Sequence, residues 1–382
     1  MNDFIPVCEP TLRGNELKYV TECVKSGWIS FSGDYVKQLE KKFSEYCGVK
    51  HGVSCSSGTA ALHLAIEAMG IRRGDEVIIP TFTMIASCNS VIYAGAKPVL
   101  VDSEMETWNM DINKIEEKIT DKTKAIMVVH TYGHPVDMDK VKKIADKHNL
   151  PIIEDAAESH GAEYKGKKTG GLSDIACFSF YANKIITTGE GGIVVTNNEE
   201  WTKNARALED HYFGEPRFLH KKVGYNYRMT NMQGAVGLAQ VERIEELVSA
   251  RRNNAHLYNK LLSNVKGLTT PPEAKWAKNV YWMYGLLVGM DFGMSMPKLR
   301  EELMKRGIET RTFFTGMHKQ PAYKGDDERF PDISGSYPVC DELERKGFYL
   351  PSSSHLTEEQ ITRIVEAIKS IQEDNQNEER PK

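Results

Sequence analysis

The sequence predicts an α/β protein with a mostly parallel central sheet covered by helices, followed by a smaller C-terminal α/β domain. Three observations predict it. Short runs that are apolar on both faces alternate with helical stretches through the first half of the chain, the pattern of a parallel sheet buried beneath its crossover helices. At 382 residues the chain is longer than one ordinary core accommodates, so two domains are expected. A long helical pattern from Met229 to about Leu262 closes the first part and leads into the second. The expected division is a large domain over residues 1–249, a small domain over 250–372 and a polar, disordered tail over 373–382.

Bulk properties exclude several classes of function. The chain is 40% hydrophobic and 27% charged, ordinary for a soluble globular protein, and its net charge of −4 provides no attraction to nucleic acid or an anionic membrane. The opening MNDFIPVCEP has no apolar signal core and no later run is long enough to span a bilayer, so a soluble cytoplasmic protein is expected. The seven cysteines are scattered without a CxxC pair, and no HExxH occurs, so no metal site is expected. Cys88 and Cys177 read as buried, inert thiols.

Residues 11–47 read as amphipathic helix, broken at 25–33 by a loop carrying Trp28 and Phe31. Those rings either pack on the protein's own surface or meet a substrate or partner. Residues 53–70 lead through Ser56-Ser57-Gly58-Thr59 into an apolar-faced helix. That turn reads either as ordinary N-capping or as an anion site, since free amides and the helix dipole attract negative charge there. Strands are expected at 76–80, 98–102, 125–130, 151–155, 175–180 and 192–196, with helices at 84–94, 112–119 and 138–148. Asp102, His130 and Asp155 then fall at carboxyl ends of strands, where such sheets bind ligands. No GxGxxG opens a helix, and the Gly- and Lys-rich stretch 166–171 lacks P-loop spacing, so both nucleotide motifs are rejected. In the C-terminal part, 281–288 reads as strand, 296–306 as helix, and 358–372 as a last helix. The loop between them carries Arg311, Phe313, Phe314 and His318.

The stretch 170–196 carries the strongest chemical signal. It reads as a buried strand, an exposed turn bearing Lys184, a glycine-rich bend and a second buried strand. Taken alone it favours a solvated lysine over a reactive one, because most lysines are exposed. Its company shifts the balance. Asp155 ends a neighbouring apolar strand, and Glu158 follows in EDAAESHG. A carboxylate facing a pyridine nitrogen favours its protonated form, which suits pyridoxal phosphate held by a lysine amine. The phosphate would rest at Gly58–Thr59, helped by Ser179.

The chain resembles the DegT/StrS sugar aminotransferases, pyridoxal-phosphate enzymes of aminotransferase fold type I. The likeness spans nearly the whole chain and is carried by SGTAALH (57–63), GDEVIIPTFT (74–83), AIMVVHTYGHPVDM (125–138), IIEDAAESHGAEYKGKKTG (152–170), FSFYANKIITTGEGG (178–192) and GYNYRMTNMQGAVGLAQ (224–240). TYGHPVDM, NKIITTGEGG and GYNYRMTN resemble the perosamine-type members in particular. The resemblance implies Lys184 as the Schiff-base lysine and Asp155 as partner of the ring nitrogen. It places Glu158, where many relatives carry Gln, beside the ring and its 3′-oxygen. It implies Gly58, Thr59 and Ser179 as phosphate ligands, with Asn226 reaching the phosphate from a neighbouring subunit of a homodimer with shared sites. Met84 departs from the aromatic that many relatives stack on the ring, so a thioether contact replaces stacking.

The implied reaction passes an amino group from L-glutamate, released as 2-oxoglutarate, through pyridoxamine phosphate to a nucleotide-diphosphate keto sugar. Lys184 moves the proton as base and acid. GDP-4-keto-6-deoxymannose is the favoured acceptor, with dTDP- or UDP-4-keto-6-deoxyglucose as the alternative. Trp28, Arg228, Arg311 and His318 are expected to handle donor carboxylate or sugar diphosphate, each weighed against a structural role. Two rivals remain. Related sugar dehydratases carry His at the lysine position, and Lys184 argues against them. A non-catalytic sensor or assembly protein on the same fold is opposed by the joint presence of Asp155, Ser179, Lys184 and Asn226.

Overall fold

Apolar residues at successive positions of the expected strands are buried on both sides, and this sets the architecture. The computed structural model describes residues 4–378. Its central sheet has seven strands, in the order His51–Cys55, Gly192–Thr196, Ile175–Ser179, Ile152–Asp155, Thr123–Val129, Glu76–Pro80 and Lys97–Val101. Gly192–Thr196 runs antiparallel to both neighbours, and the other pairings are parallel. Side chains alternate along each strand, so Val77 and Ile79 enter one core while Ile78 enters another on the opposite face. The first core holds Leu39, Phe43, Leu62 and Leu64 from the helices Asp34–Cys47 and Gly58–Ala68. The second holds Met138, Val141 and Ala145 of Met138–His148. Burying each of the larger of these side chains contributes roughly 1.5–3 kcal/mol.

The C-terminal part forms a four-stranded antiparallel sheet, Leu268–Thr269, Tyr284–Val288, Gly347–Leu350 and Arg311–Thr312, backed by helices Met296–Lys305 and Glu358–Glu378. Its core includes Tyr258 stacked on Tyr284, Leu299, Phe348 and Ile364. Ile5, near the N-terminus, also packs there and pairs with Ile308.

Several elements differ from expectation. The pattern from Met229 to Leu262 forms two helices, Asn231–Val241 and Ile244–Leu262, interrupted at Glu242–Arg243. Residue 250 falls inside the second of these: Leu247 and Val248 join the large core, while Ala255, Tyr258 and Leu262 join the small one. Residues 112–119 form two 3₁₀ turns instead of one helix. The last helix runs on to Glu378, so residues 373–378 are helical and not a disordered tail. Asn375 is buried there, donating to the Gly293 carbonyl at 2.9 Å, a tie that polar composition does not reveal. The rest of the expected tail, 379–382, lies outside the described residues.

Candidate active site

The carboxyl ends of the strands Ile152–Asp155 and Ile175–Ser179, the start of the helix Gly58–Ala68 and Trp282, Phe314 and Tyr349 of the C-terminal part enclose a cavity of about 360 Å³. That is large enough for a small organic ligand. Each wall has a local cause. Ser57 caps the helix by accepting the amide of Ala60 at 3.1 Å. The amides of Gly58 and Thr59 are left without an acceptor among the described residues, as at any free helix start. A Cβ on Gly58 would lie 2.6 Å from that of Ser179, so only glycine lets the helix begin this close to the strand. The result is a cradle of two amides and one hydroxyl fit for a phosphate.

Lys184 stands on the turn after Ile175–Ser179, with its amide on the Tyr181 carbonyl at 2.9 Å. It is buried, not exposed as the turn suggested. Its Nζ lies 3.6 Å from the centre of the Trp282 ring and makes no hydrogen bond or ion pair among the described residues. The turn is pinned from outside: Trp282 Nε1 donates to the Asn183 carbonyl at 2.9 Å, and the Cys8 thiol does so at 3.3 Å. Burial lowers the pKa of the amine, against the pull of Glu158, Asp155 and Cys8. A lysine that loses its proton easily is a nucleophile and a base.

Two carboxyls face it. Asp155 accepts from Ser87 Oγ at 2.7 Å and the Ala157 amide at 3.2 Å. Thr83 Oγ1 lies 2.8 Å from Ser87 Oγ; since Ser87 gives its proton to Asp155, Thr83 is the donor to Ser87. Burial raises the Asp155 pKa against those bonds and Lys184. Glu158 accepts the Tyr132 amide at 2.8 Å, from a backbone held at φ 51°. Its pKa is raised by burial, with Lys184 and the Tyr132 amide opposing and Asp155 adding to the rise. A cationic pyridine nitrogen beside these groups would favour the ionised form of Asp155 against burial. An unpaired amine, an open carboxylate and a phosphate cradle in one cavity therefore fit pyridoxal phosphate.

The DegT/DnrJ/EryC1/StrS aminotransferase family matches residues 10–369. The chain belongs to this family. It is 44% identical over 372 residues to the GDP-perosamine synthase of Caulobacter vibrioides, covering 96% of this chain and 98% of that protein. It is 43% identical over 376 residues to that of Escherichia coli O157:H7, covering 97% and 99%. The solved structure of S. venezuelae DesV superposes with a TM-score of 0.88 at 33% identity, covering 97% of this chain and 96% of that one. The protein is thus a pyridoxal-phosphate-dependent sugar aminotransferase of fold type I.

Within this aminotransferase, seven of the residues singled out from the sequence line the cavity: Gly58, Thr59, Met84, Asp155, Glu158, Ser179 and Lys184. The others do not line it. Asn226 Oδ1 accepts from Arg228 Nε at 3.1 Å and Nη2 at 2.8 Å. Arg228 also pairs with Asp210 at 2.6 Å and lies over the Phe31 ring at 4.5 Å. Trp28 is exposed, its carbonyl held by Asn231 at 2.6 Å. His318 is occupied at both nitrogens, Nδ1 on Thr81 at 2.8 Å and Nε2 on Asp341 at 2.9 Å. It ties the strand end at Thr81 to the helix Pro338–Lys346 instead of facing the cavity. Arg311 lines an adjoining groove.

Phe314, which the sequence marks only as a loop residue, lines the cavity together with Trp282 and Tyr349, two residues to which the sequence attaches no role, and the Thr83–Ser87 hydroxyl pair is equally unmarked there. The stretch YWMYGLLV holds a usable signal. Its strand begins only at Tyr284, which leaves a tryptophan just ahead of a buried strand. Among the described residues no helix is long and apolar enough to cross a membrane.

Proposed function

We propose that the chain transfers the amino group of L-glutamate to GDP-4-keto-6-deoxymannose, forming GDP-perosamine. The observation that supports this most is the near end-to-end identity with GDP-perosamine synthases, at 44% and 43%. When bound, pyridoxal phosphate supplies an electron sink for a carbon deprotonated beside the transferred nitrogen. The rest falls to the chain's own backbone and side-chain groups. Gly58 and Thr59 amides and Ser179 Oγ bind the phosphate. Asp155, ionised, holds a proton on the ring nitrogen. Lys184 Nζ, unprotonated, takes the proton from the donor's α-carbon; as an ammonium it later delivers one to the keto carbon of the sugar, on the single face it can reach. Trp282, Phe314 and Tyr349 wall the site against water. Glutamate-dependent amination of the GDP-, dTDP- and UDP-linked keto sugars, read by 2-oxoglutarate release and product mass, tests the choice. We expect kcat/KM for the GDP sugar to lead by about tenfold or more; a lead for either other nucleotide would overturn it.

The working unit in this proposal is a homodimer. Asn226 and Arg228, which do not reach their own cavity, complete the partner's. Mixing two inactive variants, Lys184→Ala and Asn226→Ala, should restore about a quarter of the parental activity through the one site in four that escapes both changes. No recovery on mixing and refolding would refute the shared site.

A further inference from the structure

A second void, a groove of about 540 Å³, opens against the lysine cavity. The two share a wall formed by Thr83, Met84, Phe314 and Tyr349. Their charges differ sharply. The cavity is lined by Asp155, Glu158 and Glu190, with Lys184 as its one cation. The groove is lined by Arg300 and Arg311 and by no carboxylate. We propose that this groove seats the diphosphate of the substrate, so that only the keto sugar enters the lysine cavity. The inference rests on the reading that the acceptor is a nucleotide sugar, and adds where its charge is held.

Size, charge and geometry support the division. About 360 Å³ accommodates a cofactor and a hexose ring but leaves no space for a nucleoside diphosphate. Apart from Lys184, that cavity also offers a diphosphate no counter-charge. The groove offers both the volume and the opposite charge. Arg300 is fixed in place, its Nε on Thr310 Oγ1 at 3.1 Å and its Nη2 on the Thr310 carbonyl at 3.0 Å. Its Nη1 makes no hydrogen bond among the described residues. Arg311 is half-exposed, and its carboxylate neighbour is Glu309 at 3.6 Å. The other Glu309 oxygen is already committed to the Val7 amide at 2.9 Å. Two guanidinium groups with open donors, one rigid and one adjustable, match two linked phosphates, because each planar fork binds phosphate oxygens in pairs. Met84, on the shared wall, would lie along the path from sugar to diphosphate. The thioether that replaces an aromatic there is adaptable enough to line both spaces.

The test uses the cofactor-loaded protein and three probes, GDP, dTDP and UDP, titrated by calorimetry at two salt concentrations. In parallel, glutamate conversion of the bound cofactor is followed by absorbance. Arg311→Met should weaken the tightest-binding nucleoside diphosphate by about ten- to a hundredfold. Arg311→Lys should recover part of that, and the gap should narrow at high salt. Glutamate conversion should change by less than about threefold. Arg311 is exposed at the protein surface, so the folded state should survive both changes. Unchanged nucleotide binding in Arg311→Met would overturn the inference and leave the nucleotide-sugar reading standing. A loss confined to glutamate conversion would also overturn it, by giving the arginine to the donor's carboxylate. If the parent converts glutamate but binds none of the three probes, the nucleotide-sugar reading falls and takes this inference with it.

Discussion

Glu154 and Asp155 are adjacent in sequence, end the same strand and are both buried, yet their surroundings move their pKa values in opposite directions. Glu154 accepts four hydrogen bonds: His130 Nε2 at 2.9 Å, the Gly170 amide at 2.8 Å, the Leu172 amide at 3.0 Å and Ser173 Oγ at 2.8 Å. Burial would raise its pKa, but His130 and these donors outweigh burial and lower it. Asp155 accepts two bonds and is raised. The strand's alternation sends one side chain to each face of the sheet. Glu154 takes two bonds on each oxygen and is a structural tie; Asp155 takes one on each, which leaves lone pairs free on the side of the cavity it lines. His130 supports the assignment: its Nδ1 accepts the Val136 amide at 3.1 Å, so Nε2 carries the proton given to Glu154.

The comparison breaks first at Asp155. Asp155→Asn keeps the shape and the bond from Ser87 but removes the charge that holds a proton on the ring nitrogen. Turnover should fall by about 10²–10³-fold, while the cofactor-free melting temperature stays near the parental value. A variant that keeps turnover within tenfold would show that Asp155 is another structural tie.

Glu154→Gln should do the reverse. Ser173 Oγ can turn its proton to the Ile175 carbonyl at 3.1 Å and accept, but the amide nitrogen must still face at least one backbone N–H wherever it points, so the fold should lose about 1–3 kcal/mol, read by denaturant unfolding. The fraction that folds should bind cofactor with the parental absorbance spectrum. A parental unfolding curve would refute the division of labour.

Ser87→Ala should act through Asp155. Without that donor the carboxyl pKa rises further, so kcat should fall about tenfold and the acid limb of the pH profile should move upward. Ser87→Thr, which can restore the donor, should recover most of kcat. An unmoved pH profile in Ser87→Ala would reduce the hydroxyl pair to packing.

Local pattern made much of this legible before any coordinates. Apolar runs and strand ends place Asp155, and likeness to a family assigns Lys184, Gly58 and Ser179. What pattern could not supply is pairing between distant positions. Glu154 drew no notice because its donors come from His130 and from the loop at 170–173, each meeting it only in the folded sheet. Trp282 lies against the lysine, and Tyr349 lines the same cavity, from positions about 100 and 165 residues further along the chain. His318, a natural candidate by residue type, is consumed by Thr81 and Asp341. Asn226 and Arg228 bond each other in the single chain, and no sequence period reports that.

Glu158 extends the comparison to pH. It is buried with one hydrogen bond, and burial lifts its carboxyl to about 7. In the unfolded chain a glutamate titrates near 4.3, so between those values the folded protein binds the extra proton. Stability linked to Glu158 is therefore present at low pH, declines as pH rises from about 4.3, and is fully lost above about 7. Glu154, whose pKa is lowered, works in the opposite sense: its contribution is present above about 4.3 and lost as pH falls through its folded value. Glu158→Gln has no proton to lose, and its amide oxygen still accepts from Tyr132. The cofactor-free variant should therefore melt a few degrees above the parent at about pH 8, with the advantage vanishing near pH 4. Melting curves that stay parallel across that range would mean the Glu158 charge is met by Lys184 even in the empty site, and the contrast would then be one of hydrogen-bond count alone.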